Sequence, residues 1–134
     1  MTITIDPKRQ AGEIYVWDTD QALGYDIKRK FHVYICEAGR RADGHAFLFI
    51  SSANYVGDYK ILSADYAFLV RDSFVSCRGI VTYPDADIVA AKPQLIGRLS
   101  KVHMAKLFKA ISASEAMVSW QIRLCCEALK GSLT

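Results

Sequence analysis

The sequence predicts a mostly β domain with C-terminal helices: five to seven antiparallel strands followed by two helical segments. Three observations carry this. Short runs rich in β-branched and aromatic residues recur from Glu13 to Leu99, separated by Gly, Pro and Asp clusters. Past Ser100 the apolar spacing changes from alternation to a helical period. The chain has 134 residues, 51% hydrophobic and 23% charged, which suits one domain with one core.

Met1 to Ala11 reads as a polar arm that lacks the basic-then-apolar layout of a signal segment. No apolar run approaches the roughly 18 residues of a membrane span, so the expected home is cytoplasmic and membrane-free. Glu13 to Trp17 alternates at period two and predicts a half-buried strand. Asp18 to Lys30 then reads as a polar loop, acidic at its start and basic at its end. Connections of that length in compact domains are often functional. Phe31 to Cys36 and His45 to Ser51 predict a hairpin around a Gly- and Arg-containing turn. Tyr59 to Leu62 predicts a short fourth strand, and Ala64 to Val70 suits either a strand or one helical turn.

Asp72 to Ile111 organises the rest. Phe74 to Cys77 and Ile80 to Tyr83 are strands broken by Arg78-Gly79, a bulge or tight bend. Pro84 to Asp87 predicts a turn. Gln94 to Leu99 predicts a strand carrying Gly97, and Ser100 supplies the N-cap of a helix from Lys101, with Met104, Leu107, Phe108 and Ile111 on one face. Ser112 and Glu115 have capping-box spacing, so a second helix is expected over 112–131, with Gly131 as its stop. Its two apolar stripes, Met117-Trp120-Leu124-Ala128 and Val118-Ile122-Cys125-Leu129, are wide enough to pack on the sheet and also touch a partner. With no repeats or linkers, residues 1–134 read as a single domain. The strand core is expected around Ile14, Val16, Val33, Ile35, Phe47, Phe49, Val75 and Ile80, all turned to one side.

Asp72-Ser73-Phe74-Val75-Ser76-Cys77 and Ile96-Gly97-Arg98-Leu99-Ser100, at this separation, resemble the MazF/PemK family of toxins from bacterial toxin-antitoxin pairs. The resemblance spans roughly Gly12 to Ile111. It implies a small SH3-like antiparallel barrel and a metal-independent, sequence-dependent endoribonuclease acting on single-stranded RNA. It further implies a homodimer neutralised by an antitoxin peptide, with no cofactor. The family's catalytic arginine before its second strand is matched by Lys30, with Arg29 beside it. The hydroxyl ending its third strand is matched by Ser51 and Ser52.

RNA cleavage without a metal needs a base, an acid and donors around the phosphorane. Lys28-Arg29-Lys30, with His32 two residues on, is the densest group of suitable side chains; it also reads as a solvated loop end. The expected catalytic set is Lys30, Arg29, Ser52, Ser51 and His32. Lys28, Arg78, Trp17 and Tyr25 are expected to bind RNA, the two aromatics by stacking on unpaired bases unless they fill the core instead. Some PemK-type members place an arginine and an aspartate around the fifth-strand cysteine. Ser76 and Arg78 stand there in this chain, so that acid-base pair is missing.

Other readings are narrower. The four cysteines lack metal-ligand spacing and read as small hydrophobes in a reducing compartment. No metal set falls at zinc spacing, and phosphate-loop and dinucleotide motifs are absent. His45 and His103 read as structural. A net charge of +3 does not by itself point to nucleic acid. The rival function is a non-catalytic barrel that binds nucleic acid or a protein. A gyrase inhibitor of CcdB type would need a tryptophan at the chain end, whereas Trp120 lies inside a helix.

Overall fold

A computed structural model describes residues 9–19, 28–38 and 44–133. Seven strands, β1 (Glu13–Thr19), β2 (Lys28–Glu37), β3 (His45–Ser51), β4 (Tyr59–Ile61), β5 (Ser73–Val75), β6 (Val81–Tyr83) and β7 (Gln94–Arg98), form one curled, half-barrel antiparallel sheet. Its order is β4-β5-β3-β2-β1-β7, with β6 also on β3. The central strand β3 pairs with β2 along one side. On its other side it shares itself between β6, at His45 to Phe47, and β5, at Ile50 and Ser51. The break at Arg78-Gly79 lets one stretch of chain supply both partners. Three helices among the described residues complete the fold: α1 (Asp85–Ala91), α2 (Lys101–Ser112) and α3 (Ser119–Leu133). Among the described residues, no helix is long and apolar enough to cross a membrane.

Both faces of the sheet are covered, which corrects the expectation of a core on one side. Side chains alternate across a strand. Ile14, Val33, Ile35, Leu48, Ile50 and Val75 face one core, into which α2 sends Met104, Leu107 and Ile111 and α3 sends Cys125 and Leu129. Tyr15, Trp17, Tyr34 and Phe47 face the other, together with Tyr83 and with Ile88 from α1. Phe47 therefore lies across the sheet from Ile14 and Val33. β1, expected to be half-buried, is buried on both faces except at Asp18.

The stretch that covers this second core is a helix where the sequence predicts a turn. Pro84 to Asp87 opens α1. Pro84 is the N-cap, Asp85 and Asp87 lie in the first turn, where carboxylates suit the helix dipole, and Lys92 ends the helix in the left-handed region. Asp85 is drawn in by His45, whose Nε2 lies 2.6 Å from Oδ1, while His45 Nδ1 meets Tyr34 Oη at 2.8 Å. Gly44, at φ +83°, immediately precedes β3 and lies against the Tyr83-Pro84 backbone that leads into this helix. A Cβ there would lie 1.9 Å from the Tyr83 carbonyl oxygen. Gly44→Ala is expected to cost more than about 1 kcal/mol, since it adds a backbone clash to a left-handed conformation; urea unfolding measures this.

The helix at Lys101 starts as expected, with Ser100 Oγ accepting the His103 amide at 3.1 Å. The next boundary does not. Ser112 belongs to α2 and donates to the Phe108 carbonyl, and the capping oxygen is Ser114 Oγ, which takes the Ala116 and Met117 amides. Ser114 also donates to the Cys77 carbonyl at 2.7 Å, so contact with the sheet outweighs the local capping pattern. α3 then begins at Ser119 and runs past Gly131, which does not adopt a positive φ. Both α3 stripes turn inward: Met117, Cys125 and Leu129 are buried, and Ile122, Leu124 and Ala128 pack against them. Val118 stays exposed, and Trp120 is not among the residues packed against this core. The four cysteines are unpaired, and burial pushes the Cys77 and Cys125 thiols up to about 12, which makes them inert hydrophobes.

Candidate phosphate cleft

The polar loop between the first two strands is shorter than expected, because β1 continues to Thr19 and β2 begins at Lys28. Arg29 and Lys30 are thus strand residues, opposite Asp18 and Trp17. A strand holds its side chains at fixed positions, as a loop end does not. The Phe31–Ile50 pair puts Lys30 and Ser51 one step further along neighbouring strands, and the Ser51–Phe74 pair puts Ser73 beside them. Arg29, Lys30, Ser51 and Ser52 line one cleft of about 360 Å³ with Ser73 and with Arg71 from the segment entering β5. Among its described lining residues there are three cations and three hydroxyls, and no carboxylate or imidazole.

Weak contacts position two of these cations. Arg29 pairs with Asp18 at 3.7 Å, both side chains mostly exposed, so water and salt screen the pair. Lys30 Nζ sits 5.4 Å from the centroid of the Phe49 ring, a contact that helps steer the ammonium. Ser51 Oγ accepts the Ala53 amide at 3.1 Å, fixing the start of the loop that leaves β3. Arg71 is absent from the set that the sequence predicts. Its one signal is position: it stands just before the Asp72-Ser73-Phe74 motif.

His32 does not join the cleft. On β2 it shares a face with Lys30 and Tyr34, but it lies under Trp17, the rings 3.6 Å apart and parallel within 2°, and it is 0% exposed. Its Nε2 lies 3.1 Å from Tyr83 Oη, which meets Thr19 Oγ1 at 2.9 Å. Its Nδ1 has no hydrogen-bond partner among the described residues. Burial, aided by the Lys30 charge, pushes the imidazole down to about 3. It is neutral at pH 7 and too weak a base to take a 2'-hydroxyl proton, which corrects its expected catalytic role. Trp17, 4% exposed and stacked on His32, has no free face for a base. Its place is the core.

The remaining expected RNA contacts fall elsewhere. Tyr25 lies outside the described residues. The Lys28 backbone, in β2, pairs with Thr19 of β1, and the Lys28 side chain is likewise outside the description. Arg78 is not among the cleft-lining residues: it is bound to Asp58 and lies over Tyr55. His103 Nδ1 meets Tyr66 Oη at 2.5 Å, which ties α2 to the 62–70 segment. No protein-family model matches the chain, and no curated protein matches it.

Proposed function

We propose that the chain is a MazF/PemK-like toxin that binds single-stranded RNA and cleaves it without a metal, with Arg29, Lys30 and Arg71 gripping the scissile phosphate. The observation that carries this reading is that three cations and three hydroxyls line one cleft, with no carboxylate among its described lining residues. Such a lining favours a phosphodiester over a neutral ligand or a cation. The sequence resemblance supports it independently, since it singles out Lys30, Ser51 and Ser52 without reference to where they lie in space.

In the cleavage step the ribose 2'-oxygen bonds to the adjacent phosphorus and the bond from phosphorus to the 5'-oxygen breaks, leaving a 2',3'-cyclic phosphate. The proton lost from the 2'-hydroxyl must be taken up, and one must reach the departing 5'-oxygen. Lys30 is the titratable amine at hand for proton transfer. Arg29 and Arg71 are permanent charges suited to the extra negative charge of the phosphorane. The same reading includes a second copy of the chain and an antitoxin as partners. The outer strands β4 and β7 offer sheet edges to such partners.

One observation favours a second reading. With His32 sequestered, and neither imidazole nor carboxylate among the cleft's described lining residues, the geometry grips phosphate better than it moves protons. A barrel that binds RNA without cutting it is the alternative. Replacing Arg29, Lys30 and Arg71 together by alanine is expected to weaken single-stranded RNA binding and lower the slope of log affinity against log salt by roughly 2, at about 0.7 per lost phosphate contact. Unchanged affinity and slope would remove the cleft from consideration. Incubating the parent with RNA in EDTA at neutral pH separates the two readings: cyclic-phosphate ends support the toxin, and bound but intact RNA supports the non-catalytic barrel.

A further inference from the structure

The loop that leaves β3 carries Tyr55 at the surface. Arg78, on the break between β5 and β6, lays its guanidinium over that ring with its central carbon 3.9 Å from the ring centroid. Contact this close is a cation–π contact between the guanidinium and the ring face. A third residue fixes it. Asp58, whose carboxylate is only 2% exposed, lies 3.3 and 3.4 Å from Arg78 Nε through its two oxygens. It also accepts the Cys77 amide at 3.0 Å. A buried carboxylate persists only when it is paired and hydrogen-bonded, so Asp58 holds the guanidinium in one orientation.

The arrangement leaves a particular chemistry unused. Only Nε is bound, and the two terminal nitrogens of Arg78 have no hydrogen-bond partner among the described residues. Asp58 has already balanced the charge, so what Arg78 still offers is directional donors and a flat surface. A phosphate would meet a neutralised cation with a carboxylate close behind it. The edge of a purine would meet two parallel N–H groups, the pattern that pairs with O6 and N7 of guanine. Tyr55 is three residues beyond Ser52, at most about 11 Å of extended chain. A strand with a phosphate in the cleft therefore reaches it within the few nucleotides that a small barrel covers.

We propose that Arg78 and Tyr55, locked by Asp58, form a nucleobase-reading platform selective for guanine beside the phosphate cleft. This rests on the RNA-binding reading above. Cleft and platform share no residue and bind different parts of the strand, since the cleft grips backbone while the platform reads one base.

Fluorescence anisotropy tests this with short labelled oligouridines carrying one central guanosine, adenosine or 7-deazaguanosine. The parent is expected to prefer guanosine over adenosine by roughly tenfold or more, and replacing N7 by carbon should remove most of that preference. Arg78→Lys keeps the charge and loses the fork. It is expected to abolish the preference while changing adenosine-oligomer affinity less than about twofold and leaving the salt slope unchanged. Tyr55→Ala, on an exposed loop, carries the test if the lysine variant does not fold, and should weaken guanosine binding about fivefold or more. Equal parent affinity for guanosine and adenosine overturns the platform, as does a preference that survives Arg78→Lys. Failure of the RNA reading looks different: a parent that binds none of these oligomers overturns both. Guanosine preference that persists with unchanged affinity in the Arg29, Lys30 and Arg71 variant removes the cleft and upholds the platform.

Discussion

Trp17→Ala is expected to lower the unfolding free energy by about 3–5 kcal/mol, the range for removing a large aromatic from a core. The indole is the centre of the second core. It lies flat on His32, meets Phe47 and Tyr83 edge-on at ring separations of 5.1 and 5.0 Å, and is 4% exposed. Removing it takes the cover from His32 and leaves a void beside Phe47, which cannot collapse because β1, β2 and β3 are tied by their ladders. Trp17→Phe keeps an aromatic plane over the imidazole and should lose much less. Urea unfolding at pH 7.5 is the measurement. A loss below about 1 kcal/mol, accompanied by a fall in RNA affinity, would return Trp17 to the role of base-stacking residue that the sequence suggested.

The stability of this same core is expected to depend steeply on pH. His32 ionises near 6.5 in an unfolded chain, but burial holds it at about 3 in the folded one. Below pH 6.5 the unfolded state therefore binds a proton that the folded state refuses, and by linkage stability falls as pH falls. The contribution is fully present above pH 6.5 and is lost progressively down to about pH 3. At one pKa unit per 1.36 kcal/mol, about 2 kcal/mol is gone by pH 5 and about 5 kcal/mol by pH 3. Denaturant unfolding at pH 7.5 and pH 5 tests this, with His32→Phe as the comparison. That variant keeps a flat ring under Trp17, gives up the contact with Tyr83 Oη, and should be less sensitive to acid by about the stated amount. An equal acid loss in parent and variant would show that His32 is not the group responsible.

Local order was legible in the sequence wherever a pattern and its neighbours agreed. β-branched alternation marked the strands, the Arg78-Gly79 break marked the change of partner on β3, and Ser100 marked the start of α2. These depend on residues within a few positions of one another. The pairing of Lys30 and Arg29 with Ser51 and Ser52 was also legible, because two antiparallel neighbours bring one strand's start to the other's end.

What the tertiary structure alone decided is which face each residue meets and what competes for its polar atoms. Alternation says that His32 and Val33 point opposite ways. It does not say that a helix, where the sequence predicts a turn, will cover the His32 side and change a candidate base into a buried neutral ring. Ser112 had the local capping pattern, yet Ser114 caps the next turn because the Cys77 carbonyl, 37 residues away in sequence, lies against it. Arg71 and the Arg78–Asp58–Tyr55 assembly are likewise products of chain crossing. A single sequence states which residues are neighbours along the chain. Burial and long-range hydrogen bonds, which set the charge and reach of a side chain, belong to neighbours that only the closed fold supplies.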